Sequence, residues 1–476
     1  MNTTDSNNQL VRGLGLAAAI SIVVGTVIGT GIFLKARVMM CNVESPQVMM
    51  FAWVAAGLLS LAGALTYAEL AAMMPRAGGE YVFMREAYGK APAFLYGWTQ
   101  FAVAYTGSMA AKGIGFAIFL NALVGNSLTQ VFFKLNVPFL GEVQFGTVQV
   151  IALVMMVLVT LLNCLRVSIG GQVSVILTGI KIAIVLAFGV AVFLLADGTF
   201  GHFSMAGTGG ACEGVDASAR ASIGGFAPGL AAAMLGALWA YDGWTNVAIL
   251  AGEVKNPQKN LPRALIGGML IVIALYLLAN LAYVYALDPH TIASVPKDSS
   301  VAVEVGKLFL GKAAISLMSM TLLISTLGSF HTGTMSGARV SYAMAQDGLF
   351  FQSLAKVSPK TRVPVNALIL QCVWACVLVL SGSYDKLTDY VIFAAWIFYA
   401  LNTASVFYFR WKLPDAERPY RTLGYPVVPA LFLLVALWLL FNTVLANPTQ
   451  SLTGLVIIAL GLPIYYYWAS RQSAES

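Results

Sequence analysis

Apolar residues run along this chain in stretches of about 20 or more, separated by short clusters of proline, glycine and charge, and such a stretch is what a helix needs to cross a bilayer. Twelve helices are predicted, at 12–40, 46–74, 91–122, 144–166, 170–197, 224–254, 260–288, 311–347, 363–382, 384–412, 425–445 and 450–469. Between the second and third, Pro75 to Gly89 is too polar to span and too patterned for a loose linker. It reads as a short amphipathic helix on the membrane surface or as an ordinary basic loop. Longer polar connections are expected at 196–223 and 289–310.

Two of these segments are interrupted where a membrane helix should be most regular. In the first, Gly25, Gly29 and Gly31 fall within Gly25 to Phe33, each costing roughly 1 kcal/mol of helix propensity relative to Ala. Ser21, Gly25 and Gly29 also form a small-residue ladder, which close helix packing would explain equally well. In the sixth, Gly236 to Asn246 carries Asp242 and Gly243 in mid-membrane. Matched breaks in two halves of a chain point to a transported substrate, because unwound backbone there leaves N–H and C=O groups unpaired.

Composition narrows the class. At 476 residues, 59% hydrophobic and 10% charged, with mean hydropathy +0.80, the chain is an all-α polytopic membrane protein. The polar first ten residues lack a basic n-region, so no cleaved signal peptide is read. The net charge of +7 comes without a basic run, which argues against nucleic acid. It reads as topology: with both termini in the cytoplasm of a plasma (inner) membrane, Arg76, Arg85, Lys90, Arg166, Lys255 and Lys259 fall inside, whereas Lys134, Arg220 and Lys297 are among the few outside.

Helices one to five (12–197) and six to ten (224–412) then form two five-helix units entered from opposite sides, an inverted repeat. Helices eleven and twelve (425–469) are an addition, flanked by cytoplasmic tails at 1–11 and 470–476. Of the five cysteines, Cys41 and Cys212 fall in outer segments, where an oxidising exterior would permit a disulfide. Cys164 sits at a helix end, and Cys372 and Cys376 read as packing residues.

Gly29-Thr-Gly-Ile-Phe, Tyr67-Ala-Glu-Leu, Gly78-Gly-Glu-Tyr, Asn163-Cys-Leu-Arg-Val, Trp239-Ala-Tyr-Asp-Gly-Trp, the run from Glu253 to Arg263, Gly337-Ala-Arg and Glu417-Arg-Pro occur in order. Together they resemble the amino acid permeases of the amino acid, polyamine and organocation superfamily, in particular its L-type exchanger branch. The resemblance implies a LeuT-type fold with discontinuous first and sixth helices around a midplane site. It also implies alternating access and sodium-independent transport.

The residues themselves suggest how an amino acid would be held. Free N–H groups of Thr30, Gly31 and Ile32 would take its carboxylate, with the positive helix end behind them. Carbonyls near Val27, Ile28, Trp239 and Ala240 would take its ammonium, and Thr26, Tyr241, Asp242 and Gly243 complete the expected site. By resemblance, Trp239 is a gate over the substrate; packing is the alternative for it and for Trp244.

Lys181 lies too far from either end of its helix to reach water easily and must face the interior. By resemblance it touches the first helix and fills the space of a sodium ion. It is either a fixed structural cation or a carrier of a coupled proton. Asp242 has three readings: partner to a cationic substrate, local cap for unwound backbone, or a group neutralised within the protein. Lys112 would reach Asp242, face the cavity alone, or extend outward beside Asn121. His331 is either a hydrogen-bonded packing residue or a site residue; Ser325 and Ser329 are further site candidates, with bonding back to their own helix the alternative for them and for Thr326.

The expected function is a sodium-independent L-amino acid exchanger or permease for small or medium neutral substrates. Alternatives are a proton-coupled or cationic amino acid or polyamine carrier and, from another class, a channel or a non-transporting amino acid sensor. No cofactor or metal is implied, and nothing resembles an activated nucleophile. Animal members of the branch join an accessory glycoprotein through a cysteine between helices three and four. Residues 121–146 contain none, so no such subunit is expected.

Overall fold

A computed structural model describes residues 9–125, 127–137, 141–205, 207, 209–297, 299–381, 384–446 and 448–475. The expected N-terminal tail is therefore described only from residue 9, and the last residue of the C-terminal tail also lies outside the described residues.

The first predicted helix is two helices, α1 (Leu16–Val27) and α2 (Gly31–Val43), bent by 40°. α3 (Pro46–Met73) starts on the proline that follows Ser45, whose hydroxyl accepts from the Val48 N–H at 3.4 Å. The polar stretch after it does contain a helix, α4 (Glu80–Tyr88), followed by α5 (Lys90–Thr99) and α6 (Thr106–Leu123). A π-helical turn at Gln100–Tyr105 joins the last two into one long span.

One correction to the all-α reading follows. Residues Val131–Val137 and Gly141–Gly146 pair as an antiparallel hairpin, β1 and β2. Val131, Phe132, Phe133 and Phe145 are of the β-branched and aromatic types that favour a pleated surface, and α7 (Thr147–Asn163) begins later than expected, after the hairpin.

α8 (Val167–Leu195) carries Lys181, and the connection after it holds the four-residue α9 (Ala221–Gly224). The second interrupted segment is α10 (Phe226–Ala240), a run of turns, and one short turn of helix, α11 (Asn246–Ile249). α12 (Pro257–Ala286) follows. The polar connection expected after it contains α13 (Pro289–Ser294) and α14 (Val301–Leu310), started by the Asp288 and Ser300 side chains.

α15 (Ala313–Gln346), α16 (Val365–Ser381), α17 (Tyr384–Lys412) and α18 (Val427–Ala446) complete the large helices. The last segment divides at Leu460 into α19 (Pro448–Ala459) and α20 (Gly461–Glu475). Among the described residues, seven helices are long and apolar enough to cross a membrane, or eight if the bent pair is one span.

α3 packs on α12 and α6 on α15, while α1 lies on α12 and α10 on α3. This arrangement brings both breaks to the middle of the bundle. A disulfide joins Cys41 of α2 to Cys212 in the connection before α9.

Candidate substrate site

At the first break the helical ladder stops because the Gly29 N–H turns back to the Val27 carbonyl at 2.7 Å. That leaves the Gly25 carbonyl without its intrahelical donor, and Lys181 supplies one. Its ammonium, only 2% exposed, donates to Gly25 and Ile28 carbonyls, each at 2.7 Å. A cation at a helix C-terminus also opposes the negative end of the dipole. Ser325 on α15 adds a hydroxyl to the Ile28 and Gly29 carbonyls at 2.9 and 3.1 Å. On the far side, the N–H groups of Thr30, Gly31 and Ile32 open α2 without a backbone acceptor among the described residues.

The two breaks touch. A side-chain carbon on Gly31 would stand 2.7 Å from the Ala240 Cβ, and one on Gly243 would stand 2.6 Å from the Thr26 methyl. Gly243 also has φ +104°, a conformation open to glycine. Tyr276 on α12 sits between the half-helices, its hydroxyl within 2.8 Å of the Val27 carbonyl and 2.9 Å of the Ala240 carbonyl. A phenol carries one proton, so the two carbonyls share it.

These elements enclose a cavity of about 390 Å³. Of the expected site residues, Thr26, Val27, Thr30, Gly31, Trp239, Ala240, Asp242, Gly243, Lys112 and Ser329 line it. Ile28 and Ile32 are buried beside the break, and Lys181 and Ser325 bind it through its carbonyls. Tyr241 packs edge-on against Trp53 and beside Tyr276. His331 lies outside the lining, between the Asn163 amide at 3.1 Å and the Gly170 carbonyl at 2.9 Å.

The hydroxyl of Ser329 bonds back to its own helix, at the Thr326 carbonyl. Ser325 instead reaches across to the first break. Thr326 is buried and lines the cavity, and its hydroxyl has no partner among the described residues.

Asp242 opens onto the cavity and accepts from the Tyr399 hydroxyl at 2.5 Å. Lys112 enters from α6 and donates to the Ser329 carbonyl at 3.3 Å, so each charge is held by a neutral group rather than by the other. Trp239 forms part of the wall, with the Lys35 ammonium 4.5 Å from its ring centre. Sequence reasoning missed Tyr276, Tyr399 and Tyr105, whose hydroxyl bonds Asn246 at 2.5 Å. A tyrosine in an apolar helix gives no sign of what faces it. The π-helical turn that carries Tyr105 likewise has no sequence mark.

Several residues quoted above as motifs bond to one another or to neighbouring backbone outside the cavity lining. The Gly78 N–H donates to the Ile249 carbonyl at 2.9 Å, and the Leu14 N–H donates to the Glu253 carbonyl at 2.9 Å. Arg339 makes a two-point ion pair with Glu253 at 2.9 Å on both arms, with neither side chain more than 1% exposed. Glu80, at the head of α4, accepts from Tyr67 at 3.1 Å and Tyr96 at 2.9 Å. Burial pushes its carboxyl up to about 7, against the lowering by these hydrogen bonds.

The profile of the family described as "Amino acid permease" matches residues 14–469. The serine/threonine exchanger SteT of Bacillus subtilis is 30% identical over 479 residues, covering 100% of both chains. The b(0,+)-type amino acid transporter 1 of Homo sapiens is 30% identical over 98% of this chain and 91% of its own. The human cystine/glutamate transporter is 28% identical over 96% of this chain and 85% of its own.

Proposed function

This chain belongs to the amino acid permease family of the amino acid, polyamine and organocation superfamily, and from that premise we propose that it is a sodium-independent exchanger or permease for small or medium neutral L-amino acids, working by alternating access. The observation that carries this reading is the meeting of two broken helices on one cavity, with three N–H groups at the start of α2 that have no backbone acceptor among the described residues. That end suits a carboxylate. Thr26, Val27, Gly31, Trp239, Ala240 and Gly243 form the surrounding wall, and Trp239 is the gate. Three of the four carbonyl positions first considered for the ammonium already accept a side-chain donor, from Tyr276 or from Lys181 and Ser325. The fourth, the Trp239 carbonyl, takes no side-chain donor among the described residues and is the acceptor left for the ammonium.

Lys181 supports sodium independence, since its ammonium holds the carbonyls of the break from behind. The packing supports a LeuT-type inverted repeat: α1 on α12 mirrors α10 on α3, and α3 on α12 and α6 on α15 map onto themselves under a two-fold exchange of 12–197 with 224–412. Twelve spans result when the shorter apolar helices α7, α10 and α16, together with α17, are counted with the eight. The Cys41–Cys212 disulfide lies on the face assigned to the exterior, which favours cytoplasmic termini in a plasma (inner) membrane. The chain would act without an accessory glycoprotein.

Proteoliposome uptake of labelled alanine tests the reading. Uptake that needs internal amino acid and persists when choline replaces sodium supports it. Sodium-dependent uptake, or none for any amino acid, rejects it. Glu80 favours one second reading, a proton-coupled carrier, because its carboxyl is poised near neutrality behind the cavity. In that case an inward proton gradient drives uptake into empty vesicles.

A further inference from the structure

We propose that Lys112 and Asp242 form a charge-balanced specificity pair, which admits side chains that are neutral but hydrogen-bonding, the carboxamides of asparagine and glutamine foremost, and turns away a net charge of either sign. The inference rests on the amino acid transport reading of the same cavity.

Among the described residues that line the cavity, Asp242 is the one acid and Lys112 the one base. The two do not consume each other. Asp242 is satisfied on one oxygen by Tyr399 at 2.5 Å, and an ionised carboxylate has further lone pairs to offer. Lys112 spends one of three protons on the Ser329 carbonyl, at the long distance of 3.3 Å. A carboxamide matches what remains, because its carbonyl accepts from an ammonium while its NH2 donates to a carboxylate. The unpartnered Thr326 hydroxyl in the same wall gives a third polar contact.

A charged side chain fares worse. An arginine or lysine attracted by Asp242 also brings its charge beside Lys112, and a glutamate meets the reverse. Attraction and repulsion then offset each other, while the substrate's desolvation stays uncompensated. Remove one of the two charges and that balance fails in a direction fixed by which one remains.

The experiment compares the unaltered protein with D242N, K112Q and the double variant K112Q/D242N in proteoliposomes. It measures competition against labelled alanine by asparagine, glutamine, leucine, glutamate and arginine. In the unaltered protein, asparagine is expected to compete better than leucine, which has nearly its shape, and both charged amino acids poorly. D242N leaves a lone ammonium and should raise glutamate relative to arginine by roughly tenfold, about 1.4 kcal/mol. K112Q should shift the ratio as far the other way, and the double variant should return it. Ligand-induced thermal shifts with the same five amino acids give the same ratios for a variant that binds without transporting. An unchanged glutamate-to-arginine ratio across all four proteins, or leucine competing as well as asparagine, overturns the pair. No uptake and no thermal shift with any amino acid in the unaltered protein would instead overturn the transport reading beneath it.

Discussion

Replacing Lys181 by methionine tests whether the first helix break is held open by an ammonium cap. The substitution keeps most of the volume and removes two charge-assisted hydrogen bonds, each 2.7 Å long. Such bonds contribute about 1.5–3 kcal/mol apiece before desolvation is counted. Burying the ammonium costs several kcal/mol, so the net loss is about 2 kcal/mol. The Gly25 carbonyl is left without a donor, whereas the Ile28 carbonyl keeps Ser325 at 2.9 Å. S325A alone costs about 1 kcal/mol, because Lys181 still serves Ile28. In the double variant Ile28 loses both donors, so the combined effect should exceed the sum by roughly 1 kcal/mol.

Membrane proteins of this size often unfold irreversibly, and unfolding rates at one temperature in detergent are the proper comparison. K181M should unfold about thirtyfold faster than the unaltered protein, the equivalent of 2 kcal/mol, and should lose most alanine exchange. A K181M protein as long-lived as the parent, with strictly additive behaviour in the pair, would refute the cap and return Lys181 to the proton-carrier reading.

Three other outcomes follow from the geometry. The Glu80 carboxyl is raised from 4.5 to about 7, so between those values the folded state keeps a proton that the unfolded chain has lost, and stability falls as pH rises through the window by up to about 3 kcal/mol. Unfolding measured at pH 5 and 7.5 should show that decline in the parent and not in E80Q; equal slopes would reject it. G243A should cost about 1–3 kcal/mol, since φ is +104° and the new carbon meets the Thr26 methyl. Adding T26S should recover only the steric part, as read by thermal unfolding. R339M, which strands the buried Glu253 carboxylate, should destabilise by roughly 3–5 kcal/mol, and R339M/E253Q should be closer to the parent.

The helices, the two breaks and the inward direction of Lys181 were legible in the sequence because each follows from local rules. A run of apolar residues has to be helical in a bilayer, glycines weaken a helix wherever they occur, and a mid-membrane ammonium has to find protein or water. The resemblance to the permeases, added to these rules, put Thr26, Thr30, Gly31, Trp239, Asp242 and Gly243 around one expected site, and the structure brings all of them to one cavity. The local rules also left open a helix or a loop at 75–89, where a helix is found, and allowed the Cys41–Cys212 pairing.

Only the tertiary structure decided which groups satisfy one another across the bundle. Tyr276 reaches both half-helices from 249 and 36 residues away, and Tyr399 finds Asp242 from a distance of 157 residues. Ser325 turns to the first break rather than back along its own helix, and His331 turns away from the cavity. Sequence periodicity gives the face of a helix but not the helix it meets, and hydrogen-bond partners depend on that meeting. The charges of Lys112 and Asp242 were plain in the sequence; that both open onto one cavity, each held by a neutral neighbour, is a consequence of how two distant helices pack.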